Sequence, residues 1–253
     1  ENVMDLGLTG KVALVTGAGS QIGFGKAIAV TLAREGCDLI LGDIDLEGAR
    51  QTAEIIINLG RQAIAVKADI TRSAEVKDMV KTAINKFGRI DILVNNAGSG
   101  TPPKLFIETT EEEWDYNIDL NLKGMLRCTK AVLEYMVPRK SGKIINISSL
   151  GAKTGGDHAT VYSAAKAGIV SFTKGLATEV APLGINVNCI APGVGLTNFV
   201  RNAPREVIDE LINKTPSRKT ATPQDIANAV AYLASDVSID IVGQTISVDG
   251  GLT

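Results

Sequence analysis

A tyrosine and a lysine four residues apart are the pair of side chains best suited to proton transfer in this sequence. Tyr162 and Lys166 lie in an alanine-rich stretch with helical spacing, so we expect both side chains on one helix face. A positive charge beside a phenol favours the phenolate, which makes Tyr162 a candidate acid/base. Ser149 follows residues 143–147, a run rich in β-branched residues, and is therefore expected near the end of a strand.

The spacing Tyr-x-x-x-Lys is a weak signal by itself, because an ordinary helical tyrosine beside a solvated lysine gives the same pattern. The start of the chain strengthens the chemical interpretation. Residues 11–16 form an apolar run of strand length, and residues 26–35 have helical spacing. Between them lie Gly17, Gly23 and Gly25, and such a turn brings backbone and helix N-terminal amides close to a pyrophosphate. A flexible turn is the alternative, but the flanking strand and helix favour a dinucleotide cradle.

An acidic residue follows the second predicted strand, residues 38–42. There the carboxylate of Asp43 can accept hydrogen bonds from the hydroxyls of an adenosine ribose. No arginine or lysine lies between Gly36 and Gly48, so a 2′-phosphate would meet uncompensated negative charge. The sequence therefore favours NAD over NADP as the cofactor. A solvated loop aspartate is the alternative.

Strands and helices alternate along the chain, which is typical of a parallel sheet with crossover helices. We predict an α/β fold: a Rossmann-like, doubly wound, seven-stranded parallel sheet flanked by helices on both faces. Ligands of such folds bind at the carboxyl ends of the strands. The length of 253 residues favours one domain covering residues 1–253, with a polar, proline-containing lid at about residues 197–222.

These features together resemble a known family. The glycine-rich turn, Asp43, the sequence Asn-Asn-Ala-Gly at residues 95–98 and the Ser149, Tyr162 and Lys166 constellation are similar to those of classical short-chain dehydrogenases/reductases. The likeness runs from residue 11 to residue 251. It implies hydride transfer between a nicotinamide cofactor and a small-molecule alcohol or ketone, with four catalytic residues: Asn121, Ser149, Tyr162 and Lys166.

The resemblance also assigns roles. Tyr162 would be the base, Lys166 would lower its pKa and hold the nicotinamide ribose, and Ser149 would hold the substrate oxygen. The implied cofactor contacts lie at the ends of the predicted strands: Gly17, Ser20, Gln21, Gly23, Phe24, Asp43, Ile44, Asp69, Ile70, Asn96, Ala97, Gly98, Tyr162, Lys166, Pro192, Gly193, Val194 and Thr197.

The glycine-rich turn departs from the family pattern. The family usually spaces its glycines as G-x-x-x-G-x-G, whereas five residues follow Gly17 before Gly23 here. The helix register makes Gly25 the third glycine, so the cradle is predicted to be two residues longer. Ser20 and Gln21 are therefore the least certain of the implied contacts.

Asn121 lies within a long predicted helix, residues 111–137, with an interruption expected near residues 117–124. Asparagine is unfavourable inside a helix, so its presence there needs a reason. The resemblance implies that Asn121 holds a water in line with Lys166 and completes a proton path to solvent. A kink or a local cap is the alternative.

Composition excludes several classes of protein. The net charge is −2 and no run of like charges occurs, so nucleic acid is not an expected partner. The lack of a basic leader and of a long apolar run predicts no membrane span and a soluble, cytoplasmic protein. Three widely spaced cysteines favour buried thiols, and a single histidine, His158, gives no support for a metal site. His158 is either a substrate contact or a plain loop residue.

The sequence thus predicts an NAD-dependent oxidoreductase that interconverts a secondary alcohol and its ketone. A 3-oxoacyl-carrier-protein or 3-hydroxyacyl-CoA type enzyme is the alternative within the same fold. Asp43 disfavours NADPH, and residues 179–184 lack the arginine typical of carrier-protein reductases, so both features weaken the carrier-protein version. A non-catalytic nucleotide-binding protein is more remote, because all four catalytic positions are intact. The family also implies a homotetramer formed through residues 111–137 and 160–181.

Overall fold

A parallel sheet forms the centre of the computed structural model, which describes residues 5–195 and 205–253. Its seven strands are β1 (Val12–Thr16), β2 (Asp38–Asp43), β3 (Ala63–Lys67), β4 (Ile92–Asn95), β5 (Gly142–Ile147), β6 (Ile185–Pro192) and β7 (Thr245–Val248). All pair in parallel, in the order β3-β2-β1-β4-β5-β6-β7. The predicted doubly wound fold is confirmed, and the strand order reverses between β1 and β4, where such sheets bind ligands.

Helices cover both faces of this sheet. They are α1 (Phe24–Arg34), α2 (Leu46–Asn58), α3 (Ser73–Phe87), α4 (Glu111–Ile118), α5 (Gly124–Arg139), α6 (Gly151–Thr154), α7 (Thr160–Val180), α8 (Arg205–Lys214) and α9 (Pro223–Ala234). Short 3₁₀ turns span Phe106–Glu108, Ala181–Leu183 and Asp236–Ser238. Among the residues described, no helix is long and apolar enough to cross a membrane.

Alternate residues of the strands supply two separate cores. Val15 and Leu41 pack with α1, α2 and α9 on one face, whereas Leu14 and Ile40 pack with α3, α5 and α7 on the other. Because both faces are covered, the strands are apolar almost throughout, which explains the continuous apolar runs in the sequence. The sheet is thereby held rigidly, and its carboxyl ends form a fixed platform for the site.

The long helix predicted over residues 111–137 is divided into three parts. A π-helical segment, Asp119–Lys123, joins α4 to α5 and contains Asn121, so the expected interruption is present. Pro138 lies within the last turn of α5 and the helix continues to Arg139. A proline this close to the end of a helix destabilises it little, since few helical hydrogen bonds remain to be lost. The N–H of Lys140 donates to the carbonyl oxygens of Met136 and Val137 and ends the helix.

Candidate active site

A large cleft opens at the carboxyl ends of the strands. It has a volume of about 890 Å³, enough for a dinucleotide or a similar ligand. Its wall includes thirteen of the predicted cofactor contacts: Gly17, Ser20, Gly23, Phe24, Asp43, Ile44, Asp69, Ile70, Asn96, Ala97, Gly98, Tyr162 and Lys166. The structure thus brings together most of the residues that the sequence selected.

The glycine-rich turn packs too closely for side chains at two positions. A Cβ on Gly25 would lie 2.1 Å from the carbonyl oxygen of Gly17, and Gly17 itself has a φ of +71°. Asn96 holds this turn in place, because its Nδ2 donates to the carbonyl oxygens of Thr16 and Gly17 at 2.9 and 3.0 Å. Gly23 is the N-cap of α1, so the helix register expected from the sequence is correct. A turn of this shape at a helix N-terminus fits the pyrophosphate of a dinucleotide.

Gln21 is turned away from the cleft. Its Nε2 donates to the carbonyl oxygens of Gly19 and Gly48 at 2.9 Å each, and its Oε1 accepts from Lys26 at 2.9 Å. This placement contradicts the expected contact between Gln21 and a cofactor. The two additional residues of the turn lengthen it enough for the side chain to reach α2, whereas Ser20 lines the cleft as expected.

Asp43 lies at the end of β2 with both carboxylate oxygens engaged. Oδ2 accepts from the N–H of Gly19 at 2.7 Å, and Oδ1 accepts from the N–H of Asp45 at 2.9 Å. A carboxylate oxygen has two lone pairs and can accept a second hydrogen bond. Asp43 therefore fixes the glycine-rich turn and still lines the cleft with acceptor capacity to spare.

Asp69 and Ile70 follow β3 and line the same end of the cleft. Burial raises the pKa of Asp69, but hydrogen bonds from the side chain and backbone of Thr71, together with the charge of Arg72, outweigh it and hold that pKa below its usual value. The Oδ1 of Asp69 accepts from the Thr71 hydroxyl at 2.7 Å. Asp69 thus remains a charged acceptor beside the apolar side chain of Ile70, a combination suited to a planar, hydrogen-bonding base.

Lys166 and Tyr162 lie at the other end of the cleft, on the first turns of α7. Lys166 is only 4% exposed, and its Nζ donates to the carbonyl oxygen of Ile147 at 3.1 Å. The same Nζ lies 5.6 Å from the centroid of the Tyr162 ring. The ammonium of Lys166 thus lies over the ring of Tyr162 within the same cleft.

Asn121 faces this pair from the π-helical segment. Its Nδ2 donates to the carbonyl oxygens of Ser99 and Asn117, whereas its Oδ1 is buried and has no hydrogen-bond partner among the described residues. A Cβ on Gly98 would lie 2.6 Å from that Oδ1 and 3.1 Å from the Nζ of Lys166. An unsatisfied buried oxygen costs free energy, so this one is expected to bind a water or a ligand.

Ser149 follows β5 and is not among the residues that form the described wall of the cleft. Its Oγ accepts from the N–H of Gly151 at 3.2 Å, and it is half-buried. The adjacent Ser148 is the residue on the wall, and its hydroxyl donates to the carbonyl oxygen of Lys166 at 2.8 Å. The residue adjacent to Ser149 is therefore bound to Lys166, and the contact of Ser149 with a substrate stays a prediction.

The predicted contacts after β6 are not on the described wall of the cleft. The carbonyl oxygen of Pro192 accepts from Leu150, and the N–H of Gly193 donates to Val248. The carbonyl oxygen of Val194 accepts from the N–H of Ala221, so hydrogen bonds hold all three residues at the end of the sheet. Thr197 and the first part of the predicted lid lie outside the described residues.

Two further asparagines, Asn95 and Asn117, are buried and bind other parts of the chain through their side chains. Asn95 joins β4 to β5 and α5, since its Nδ2 donates to Asn146 at 2.8 Å and to Thr129 at 2.9 Å. Asn117 was not selected from the sequence; it is 2% exposed and donates to the Thr101 hydroxyl at 3.2 Å. Its spacing of four residues from Asn121 was the available signal, because both then share one helix face.

His158 borders a small cavity of about 20 Å³ that also includes Asn117, Trp114 and Tyr162. That volume accommodates one water. The Nδ1 of His158 lies 2.9 Å from an oxygen of Asp157, and the residue has a φ of +57°. His158 thus borders a cavity that shares Gly100 and Tyr162 with the cleft.

The three cysteines are buried and free, as predicted. Burial raises the pKa of Cys189 to about 11 and that of Cys128 to about 12, so neither forms a thiolate readily. The described residues contain no cluster of side chains that could hold a metal ion.

Fold and cleft together define an α/β oxidoreductase of the dinucleotide-binding type. Residues 17–253 match the family described as Enoyl-(Acyl carrier protein) reductase. The chain belongs to the short-chain dehydrogenase/reductase family.

Two relatives are 43% identical to the chain, and each match covers 97% of this chain and 98% of the relative. One is the BbsD subunit of (2S)-[(R)-hydroxy(phenyl)methyl]succinyl-CoA dehydrogenase from Thauera aromatica, and the other is a 3-oxoacyl-[acyl-carrier-protein] reductase from Synechocystis. Among solved structures, levodione reductase superposes with a TM-score of 0.92 at 33% identity, covering 96% of this chain and 97% of that one.

Proposed function

We propose that this protein is an NAD-dependent oxidoreductase that interconverts the hydroxyl and keto forms of a 3-hydroxyacyl thioester, with coenzyme A as the thiol. One observation carries the proposal. The Oδ1 of Asn121 and the Nζ of Lys166 converge on Gly98 beside Tyr162, at the end of the cleft opposite Asp43. The proposal assigns proton transfer to this end of the cleft and the adenosine of the cofactor to the end with Asp43.

The relatives support the substrate class. One is named for a hydroxylated succinyl-CoA and the other for a 3-oxoacyl group on a carrier protein. Their shared chemistry is a secondary alcohol or ketone on an acyl chain carried as a thioester. A 3-hydroxyacyl thioester carries a secondary alcohol on its acyl chain, and an enzyme for it is the alternative that the sequence left open within the same fold.

Coenzyme A is favoured over a carrier protein as the thiol. Residues 179–184 include the exposed end of α7 and the following 3₁₀ turn, and they carry an exposed Glu179 and no arginine. A partner protein that docks through negative charge would find no cation there. A free thioester needs no such docking surface.

NAD is the proposed cofactor. The turn from Gly17 to Gly25 fits its pyrophosphate, and Asp43 faces the region where its adenosine ribose would bind. The 2′-phosphate of NADP would place a second negative charge beside Asp43. Lys166 and Tyr162 would hold the nicotinamide half.

When bound, NAD supplies the acceptor for the hydride of the alcohol. The side chains of the protein then have to accept one proton and stabilise the negative charge that develops on the substrate oxygen. Tyr162 takes the hydroxyl proton of the substrate as its phenolate, which the ammonium of Lys166 stabilises. Ser149 donates a hydrogen bond to the same substrate oxygen. The Oδ1 of Asn121 holds a water near Lys166, through which the proton leaves for solvent.

A direct assay tests the substrate class. Purified protein with NAD is supplied with 3-hydroxybutyryl-CoA, with the same acyl group on a carrier protein, and with simple secondary and cyclic alcohols, and NADH absorbance is followed. We expect the highest kcat/KM with the coenzyme A thioester. A higher kcat/KM with a free alcohol would reject the thioester assignment, and a higher value with the carrier protein would reject coenzyme A.

A further inference from the structure

The extended glycine-rich turn carries a contact that the family pattern does not account for. Its two additional residues put Gln21 at the tip of the turn, outside the cleft and against α2. The amide of Gln21 is held in one orientation, because Lys26 donates to its Oε1 while backbone carbonyls surround its Nε2.

The Nε2 of Gln21 joins the glycine-rich turn to α2. Its Nε2 lies 2.9 Å from the carbonyl oxygens of both Gly19 and Gly48, and 3.3 Å from the hydroxyl of Thr52. Thr52 is fully buried and in turn donates to the carbonyl oxygen of Ala18 at 2.9 Å. The first half of the turn is therefore bound to the first turns of α2.

The backbone of Gly19 is held on both sides of its Cα. Its carbonyl oxygen accepts from Gln21, and its N–H donates to the Oδ2 of Asp43 at 2.7 Å. Packing is close here as well, since a Cβ on Gly48 would lie 2.3 Å from the Gly19 oxygen. The Asp43 carboxylate is thus bound to the N–H of a residue whose carbonyl group Gln21 fixes.

We infer that Gln21 is a positioning residue for the adenosine half of the cofactor, acting through Gly19 on Asp43. The inference rests on the proposed use of the cleft for NAD. In a turn lengthened by two residues, the backbone would otherwise have to be ordered when the dinucleotide binds, and that ordering weakens affinity. The side chain of Gln21 orders it beforehand.

The test replaces the amide without changing the length of the side chain. Gln21→Met should raise the Kd of NAD about five- to tenfold, the effect of losing roughly one net hydrogen bond. The Kd of ADP-ribose, which lacks the nicotinamide, should rise by the same factor. The kcat at saturating NAD should stay unchanged, because Tyr162 and Lys166 lie at the other end of the cleft.

Gln51 provides a matched control. It is exposed on α2, lines the same groove as Gln21, and makes no hydrogen bond within the described part of the chain. Gln51→Met should therefore leave the Kd of NAD and of ADP-ribose unchanged. Gln21→Asn keeps the amide but is one methylene shorter, so it should show the same loss as Gln21→Met.

Calorimetric binding of NAD and ADP-ribose to wild type and to these variants decides the matter. A Kd for Gln21→Met within twofold of wild type, or a loss for NAD without a loss for ADP-ribose, would overturn the inference. Both measurements are independent of turnover. A wild-type protein that binds NAD but oxidises no thioester would reject the proposed substrate and leave the role of Gln21 to be read from the same Kd values.

Discussion

The amide oxygen of Asn121 and the ammonium of Lys166 meet at the backbone of Gly98. A Cβ at Gly98 would lie 2.6 Å from the first and 3.1 Å from the second, although the two residues come from the π-helical segment and from α7. π-helical turns are rare and often occur at functional sites. Here the π turn contains a buried asparagine whose oxygen has no partner among the described residues.

Gly98→Ala tests this convergence. The added methyl would force Asn121 or Lys166 to move, so we expect kcat to fall at least tenfold with a smaller change in the KM for NAD. Gly175→Ala is the control, because a Cβ there meets nothing within 4 Å and alanine is a better helix former. Steady-state kinetics of both variants make the comparison, and wild-type kcat in Gly98→Ala would contradict the proposed geometry.

Asp43→Ala should narrow the preference for NAD over NADP. The change removes the charge that would oppose a 2′-phosphate, and it also frees the N–H of Gly19, so NAD affinity should fall as well. Asp45→Asn is the control, since Asp45 is the N-cap of α2 and asparagine caps equally well. The ratio of kcat/KM for the two cofactors is the measurement. A ratio that Asp43→Ala does not change would exclude Asp43 as the selecting group.

Lys143 is the second residue of β5, at the end of the strand away from the cleft, and its burial is unfavourable. It is 8% exposed on β5, and its Nζ has no hydrogen-bond partner among the described residues. Burial lowers the pKa of this lysine, Asp236 opposes the shift, and Lys11 adds to it. The folded state therefore disfavours the charged form, so the destabilisation is complete at pH below the lowered pKa and disappears as the pH rises towards the ordinary value of 10.5.

Lys143→Met should consequently raise the free energy of unfolding by about 1 kcal/mol near neutral pH, because it removes an unsatisfied buried donor. The gain should shrink as the pH approaches 10.5. Urea denaturation at several pH values measures it, with Lys67→Met as the control for an exposed strand lysine. A constant gain across that range would show that the charge of Lys143 is not responsible.

A homotetramer is expected from the family, formed through α4, α5 and α7. Tyr116 and Val137 lie on α4 and α5 with exposed fractions of 47% and 36%, which is compatible with an interface there. Light scattering at micromolar concentration should give four chain masses. A monomeric mass would refute the expected assembly.

Sequence reasoning predicted the residues whose position follows from strand order. Asp43 and residues 95–98 lie at or just after strand ends, and Tyr162 lies on α7 in the crossover from β5 to β6, so parallel pairing brings them to one edge of the sheet. The role of Gln21 could not be predicted in this way. Its conformation depends on Gly48 and Thr52 in α2, and no local pattern indicates which way a lengthened turn folds.

Asn117 and Lys143 show the same limit. Asn117 is buried against Thr101, and its spacing of four residues from Asn121 indicates a shared helix face but not which residues that face meets. Lys143 begins a run rich in β-branched residues, and that run does not indicate that the lysine is buried without a hydrogen-bond partner among the described residues. Both positions depend on tertiary packing, which the conformational propensities of single residues do not describe.

Removal of the phenolic hydroxyl at Tyr162 tests the central claim most directly. Tyr162→Phe is compared with wild type in single turnovers of 3-hydroxybutyryl-CoA with saturating NAD, and the Kd of NAD is measured for both. The account predicts that the rate falls by about 10² to 10⁴, the usual cost of losing a general base, while the Kd of NAD changes less than threefold. A rate within a few-fold of wild type would mean that another group transfers the proton, and it would contradict the mechanism.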